Sequence, residues 1–501
     1  MSVFEYKDTV LVVGGLGSRN GRYHKNGGGC TKAFVDAKGG FADFDLSKIM
    51  TDYGGALLSY TDGNSIYERS TGKITLPYLT SEAENYVGLL VYVEEAGTTG
   101  FSSDRYEILQ TDSANKTITI ESEIGGDGAI VNLYIGGAVD TLSTALSNST
   151  AVFNNTFIFT NLNEVISSSI NVMGKGSAGR NTYLNVIGFN TTLLDMCYGG
   201  QYYQSAFEAF SNGISSAKNV VLDGNNGTFD LFSPTSQTNT GFYNFHFANV
   251  QSYSFNLGIG TCKNVLFDNC KFSNCQQGVR FNNGENCHIH SCYFHNDILQ
   301  AAVYGAIGHI SASVISGSVS AGNNMTLLSG GSVRGCLYIN GYKHAINHSG
   351  TELLDVSDNT FYNIPEIVLR SQGGGSAEFN NNICVIPQAS RVVKFISSLG
   401  GNIISLDNNC YWGSDGNALS TLFETEITDG HLPAKGRNDF ELDPVFADVS
   451  SGNFSPMNKY IANGGRTING NPTYIGAVRP KQKYKSNARA ANFGRLSIIR
   501  S

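Results

Sequence analysis

The stretch Val265-Leu266-Phe267-Asp268-Asn269-Cys270-Lys271-Phe272 decides the fold. Its centre, FDNCKF, is one of nine copies of a six-residue unit. The copies are LDGNNG (from Leu222), FANVQS (Phe247), FDNCKF (Phe267), IHSCYF (Ile289), ISASVI (Ile310), VRGCLY (Val333), VSDNTF (Val356), FNNNIC (Phe379) and LDNNCY (Leu406). Their first residues lie 25, 20, 22, 21, 23, 23, 23 and 27 positions apart. Position one is always apolar. Position three is Asn, Asp, Gly, Ser or Ala, and position four is Asn, Cys, Ser or Val. A period near 22 fits neither a heptad nor a helix-pair repeat, and points to a solenoid with one turn of chain per repeat. The alternation through Val265-Leu266-Phe267 is that of a strand, and the polar pair that follows turns the chain.

Stacked turns of this kind give an all-β fold, a right-handed parallel β-helix, in which equivalent side chains form columns about 4.8 Å apart. Position four then makes a column of Asn225, Cys270, Cys292, Cys336, Asn359, Asn382 and Asn409. Position six stacks Phe272, Phe294, Ile315, Tyr338, Phe361 and Tyr411.

Composition agrees with a long solenoid. The 501 residues include 59 Gly but only 15% charged side chains, a turn-rich balance. The net charge of −8 speaks against a nucleic-acid partner. The start, MSVFEYKDTV, has no basic segment followed by an apolar one, and no run of 18 apolar residues occurs, so no export signal and no membrane span are read. Ten Cys, most at periodic positions, read as small buried hydrophobes. Cys270 and Cys292 fall one rung apart but are expected to stay free thiols in a reducing cytosol.

Residues 1–135 read as a small β-rich domain without the repeat, with strand-like runs at Ala56–Tyr60, Val87–Val93, Tyr106–Gln110, Thr117–Ser122 and Val131–Ile135. Residues 136–155 hold a short helix, Asp140 as its N-cap and Leu142, Ala145 and Leu146 on one face, suited to plug the open end of the solenoid. The β-helix spans 156–478, interrupted by an aromatic-rich insertion from Tyr198 to Ser216, and 479–501 is a basic tail with seven Lys or Arg and no acid. Gly14-Gly15-Leu16-Gly17 imitates a dinucleotide loop but lacks its third glycine, and no cofactor is expected.

LDNNCYW, followed by ELDPVFADVSSGNFSP and YIGAV, resembles the closing rungs of right-handed parallel β-helix proteins, the group that holds polysaccharide lyases, surface-glycan enzymes and bacteriophage tailspikes. VGLLVYVEE and DRYEILQTDSANKTITIES, leading into GGAVDTLSTALS, resemble the β-domain and capping helix that precede the β-helix in phage tail-fibre and other virion proteins. The resemblance implies a structural virion protein of a tailed phage, assembled in the host cytoplasm. As a spike, fibre or decoration, it would be attached through its N-terminal domain to other virion proteins. It also implies a homotrimer, with outward apolar residues such as Val221 and Leu266 in contact, and a host polysaccharide as ligand. The alternative is a polysaccharide depolymerase, a lyase or hydrolase. The Asn-Thr-Asp, Asp-Asp, Gly-His-Gly and Arg-Ile-Lys signatures of glycoside hydrolases in this group are absent, so an enzyme is the less favoured reading.

The repeat alignment also singles out chemistry. The residue before position one faces outward, giving Val221, His246, Leu266, His288, His309, Ser332 and Asp355; position two adds Asp223, Asp268, His290 and Arg334. Asp268, His288, His290 and His309 therefore share one face, a candidate metal site or acid/base patch, with Glu285 nearby in sequence. Cys287 and Cys292 flank these His but belong to the core by parity, so a zinc site is not expected. Asp195, Glu208, Asp297 and Glu352 are further acids that nothing ranks.

Overall fold

A computed structural model describes residues 8–13, 29–37, 58–60, 64–77, 86–95, 104–120, 126–147, 155–170, 183–188, 206–214, 219–233, 237–257, 262–317, 324–396, 402–426 and 434–477, apart from positions 131, 138, 140, 161, 162, 283, 342, 463, 466, 469, 470, 473 and 474. The Gly14–Gly17 loop, Asp195 and the basic tail lie outside the described residues.

The repeat folds as a parallel β-solenoid: a 27-stranded sheet winds so that each strand pairs with the equivalent strand one turn on. Three faces result. On the first, Phe267, Ile289, Ile310, Val333, Val356, Phe379 and Leu406 are direct partners in successive strands. On the second, the ladder runs Leu222, Phe247, Phe272, Phe294, Ile315, Tyr338, Phe361, Cys384 and Tyr411. On the third, Phe255, Val279, Val303, Thr326, Ile346, Leu369, Val393 and Phe423 follow one another.

Seven of the nine copies thus stand in the expected register, and two do not. Leu222 and Phe247 belong to the second face, in line with position six of the later copies; Asn225 accordingly is exposed rather than in the position-four column. Both faces meet at a polar corner flanked by inward apolar residues, so strands on either side of a corner spell similar motifs.

Position three is the corner itself. Asn244, Asn269, Ser291, Ala312, Asp358, Asn381 and Asn408 all have φ between 48° and 64°, with Gly335 at 63°. That left-handed conformation favours Gly and Asn, which explains the composition of the position. Position four turns inward. Cys270, Cys292, Ser313, Cys336, Asn359, Asn382 and Asn409 are all fully buried. The Asn382 side chain accepts from the Asn359 backbone N–H at 3.0 Å and donates to the Val356 carbonyl at 2.9 Å; Asn409 repeats the pattern one turn on. Asp439 ends the column, accepting from the Asn409 backbone at 2.8 Å and from the Tyr411 hydroxyl at 3.1 Å. Between the columns aromatic rings stack, as in Phe272 on Phe294 at 4.7 Å and Phe232 on Phe255 at 4.3 Å. All nine described cysteines are free and buried.

The solenoid begins earlier than position 156. Thr9–Val13 pairs in parallel with Thr156–Thr160, and so forms a rung from inside the segment read as a separate domain. Between these two strands lie antiparallel sheets of five and four strands. Their core continues into Phe157, Phe159 and Ile187, which point out from the first face of the solenoid, so the N-terminal sheets sit on that face. The helix Leu142–Ser147 buries Leu142, Ala145 and Leu146 against Leu11 and Ile158 at the end of the solenoid. At its start the Thr141 hydroxyl accepts a 3.1 Å bond from the Thr144 N–H; Asp140, the expected N-cap, lies outside the described residues.

The expected closing rungs are a second departure. The last solenoid strands are Asn402–Asp407, Cys410–Gly413 and Phe423–Thr425. Beyond them the chain folds back along the outside of the second face, as the antiparallel pair Phe446–Asp448 and Asn453–Pro456 and the helix Lys459–Ala462. Gly476 and Ala477 reach the Asn381 carbonyl and the Thr360 hydroxyl. The helix Ala206–Asn212, from the aromatic insertion, covers Tyr293 and Val314 on the same face and meets Phe454 of the returning strap. From Tyr293 on, outward residues of this face such as Val314, Leu337 and Ile339 are apolar, so another rung would leave them in water; two straps cover them instead.

Candidate functional site

The first face places most of the sequence candidates together. Leu266, His288, His309, Ser332 and Asp355 are partners in one outward ladder, and Asp268, His290, Ser311 and Arg334 in the next. His288 and His309 stack with ring centroids 4.8 Å apart. His288 bonds the Asn286 side chain through Nε2 at 2.6 Å, and His309 meets the Ser332 hydroxyl through Nδ1 at 2.9 Å. His290 meets the Ser311 hydroxyl through Nδ1 at 2.8 Å. Arg334 pairs with Asp355.

Three candidates fall elsewhere. Glu285 precedes the Asn286 corner and pairs with Lys263, so it does not join the imidazoles. His246 and Asp223 lie on the second face, a consequence of the shifted register of the first two copies; His246 is bonded to Ser273. Leu266 points outward but is only 2% exposed, so it offers no apolar surface to another subunit. Asp297 is occupied by the Asn274 N–H and by His295, and Glu208 sits on the covering helix.

Burial governs the electrostatics of the patch. It holds the His288 imidazole down at about 4, with repulsion from His309 and His290 adding to it, and it lowers His309 too. Burial pushes the Asp268 carboxyl up, against a smaller opposing pull from His290. The stacked rings hold their nitrogens in nearly parallel planes, and among the described residues no three His, Cys, Asp or Glu side chains are placed to hold one metal ion.

A second polar strip, on the third face, was not singled out from the sequence. Its outward ladder runs Arg280, Tyr304, Leu327, Asn347, Arg370, Lys394 and Glu424. Arg280 lies over the rings of Tyr253 and Tyr304, 5.3 and 5.5 Å from their centroids. Gln372 accepts from both Asn347 and Arg370, at 3.1 and 2.9 Å. The strip ends in an open cleft of about 290 Å³ lined by Lys343, His344, Glu366, Arg370, Lys394 and Glu426. Lys394 pairs with Glu424 and Glu426 at 2.7 and 2.8 Å, and these partners raise its pKa. The signal was available: Arg370 and Lys394 fall at equivalent places in successive turns. It lies outside the six-residue unit, where the alignment did not reach.

No family model matches the chain, and no curated protein matches it. Two solved structures are similar in part. One is the catalytic domain of a GH87 alpha-1,3-glucanase variant in complex with tetrasaccharides, at 9% identity and a TM-score of 0.25, covering 76% of this chain and 89% of that one. The other is the Pseudomonas phage phi297 tailspike, at 8% identity and a TM-score of 0.17, covering 76% of this chain and 64% of that one. The β-solenoid itself stands on the strand register, independently of either.

Proposed function

We propose that the chain is a virion spike, fibre or decoration protein of a tailed phage whose solenoid holds host surface polysaccharide along its third face. The observation that carries the binding role is the strip from Arg280 to Lys394, which ends in the open cleft. Rigid strands set the Arg280 and Arg370 guanidiniums, the Tyr304 ring and the Lys394 ammonium along one line, with the Gln372 amide exposed beside it and Asn347 buried beneath. Such donors and ring faces suit a hydroxyl-rich chain laid across the rungs. Attachment through the N-terminal sheets and assembly as a homotrimer belong to the same proposal and rest on the domain order in the sequence.

Glu366 and Glu426 in the cleft favour a second reading, a depolymerase. Both carboxylates are already engaged, Glu366 3.5 Å from the His344 ring and Glu426 paired with Lys394, so binding is preferred. Calorimetry of the full chain with purified host capsule is the test. Retention of polysaccharide that falls at least about tenfold in the Arg370→Ala and Lys394→Ala variants supports the proposal; unchanged retention overturns the binding role. Release of reducing ends, lost in Glu366→Gln and Glu426→Gln, would establish the depolymerase. Absence of the chain from mass spectra of purified virions would remove the virion assignment.

A further inference from the structure

Away from the third-face strip, one outward ladder lines up four kinds of chemistry in consecutive rungs. Asp268 partners His290, His290 partners Ser311, and Ser311 partners Arg334. Neighbouring rungs stand about 4.8 Å apart, close enough for side chains to act on one another. The Ser311 hydroxyl is already bonded to His290 Nδ1 at 2.8 Å, within the range needed for proton transfer. With Nδ1 accepting that proton, the neutral ring carries its own on Nε2. His290 and Arg334 are exposed and Ser311 is half-exposed, so a substrate can reach them. Arg334 bonds Asp355 through Nε and Nη2, and among the described residues no hydrogen bond engages Nη1.

We infer that Ser311, His290 and Asp268 form a nucleophile, base and carboxylate set that hydrolyses a small carboxylic ester, with Arg334 facing the oxyanion. In the first step Ser311 Oγ bonds to the ester carbonyl carbon as its proton passes to His290 Nδ1. Charge on the carbonyl oxygen is opposed by the guanidinium one rung on. The tetrahedral species collapses, the carbon–oxygen bond of the ester breaks, and the alcohol leaves with the proton from His290. Water then gives a proton to His290 and attacks the acyl group on Ser311, which releases the carboxylic acid and restores the hydroxyl. Asp268, on the far side of His290 from Ser311, stabilises the imidazolium formed in each half.

The ladder beside it supplies an internal control. His309 also bonds a serine hydroxyl, Ser332, but the residue behind it is the imidazole of His288 and not a carboxylate. It has the pair without the third member.

The experiment is turnover of p-nitrophenyl acetate by the full chain at pH 8, with fluorophosphonate labelling located by peptide mass spectrometry. The inference expects a single label on Ser311 and loss of turnover by at least about a hundredfold in Ser311→Ala and His290→Ala. It expects a smaller loss in Asp268→Asn, and no change in Ser332→Ala. An unlabelled Ser311, or turnover in Ser311→Ala equal to wild type, overturns it. Labelling of the unmodified chain does not depend on whether a variant folds, and equal losses in Ser311→Ala and Ser332→Ala would show that the serines only support the sheet.

Discussion

Asn382 sits between Asn359 and Asn409 in a fully buried column, and its single side chain satisfies the backbone of one turn while joining the next. Its amide oxygen accepts from Asn359, and its amide nitrogen donates to the Val356 carbonyl and the Asn409 side chain. A polar group in this position costs little only while every partner is present. Asn382→Ala removes three partners at once and leaves the Asn359 N–H unpaired in the core. The expected loss is about 2–4 kcal/mol in urea unfolding; a loss within about half a kcal/mol would mean that the column does not stabilise the turns.

The corner residues give a prediction of opposite sign. Ala312 holds φ at 48°, a region its Cβ disfavours, whereas Gly335 occupies the equivalent corner one turn on at 63°. Ala312→Gly should therefore stabilise by about 0.5–1 kcal/mol, and Gly335→Val should destabilise. Thermal midpoints of the two variants, measured together, check the sign.

The imidazole stack makes stability depend on pH. His288 is held at about 4 in the fold, against 6.5 for the free side chain, so the unfolded chain binds a proton that the native chain refuses between those values. The contribution is complete above about pH 6.5 and is lost as pH falls toward 4. His246, lowered by its own burial to about 4, acts in the same direction. His288→Gln should flatten the fall in unfolding midpoint across that window; an unchanged slope would show that the ring titrates freely.

The second-face straps should come away separately from the solenoid. Phe454 is fully buried among Phe210, Tyr362 and Phe446. Phe454→Ala removes packing worth about 3–5 kcal/mol, concentrated where the strap meets the helix Ala206–Asn212. Hydrogen exchange should rise in 206–212 and 446–456 while the strands around Ile289 and Ile310 keep their protection. A uniform rise would mean that strap and solenoid unfold as one unit.

Thiol chemistry offers a simple count. Burial raises the thiols of Cys30, Cys275 and Cys336 to about 12, and all nine described cysteines are inaccessible. Ellman's reagent should find at most one fast thiol per native chain, Cys197, which lies outside the described residues, and ten after unfolding.

The solenoid was legible because its chemistry is periodic. Seven motif copies repeat one corner, and the corner's conformation restricts the residues that can occupy it. Parity then placed Cys287 inside and His288 outside, as the structure has them. The same periodicity misled where two different corners share one pattern, which moved His246 and Asp223 onto the wrong face. It could not reveal the straps, because an apolar residue facing out and then covered by distant chain looks identical to one facing in. The third-face strip obeys the same period, with Arg370 and Lys394 at equivalent places in successive turns, but it lies outside the six-residue unit and its rungs alternate cations with rings, amides and Leu327.

The pairing of Thr9–Val13 with Thr156–Thr160 also bears on how the chain is made. Asp8 and Asn155, whose side chains bond beside this pair, are 147 positions apart. At ordinary synthesis rates the earlier strand waits roughly 10–30 s for its partner to leave the ribosome. Cys30–Thr31 can cover part of one edge early, but throughout that interval the edge that Thr156–Thr160 will take stays open, in a crowded cell where identical nascent chains lie close by. The intervening sheets can fold meanwhile and draw the two ends together, so they would act as a timer for closure. A truncation meant to isolate the solenoid by removing residues 1–135 would remove its first rung as well, and leave the edge at Ile158 as a template for aggregation.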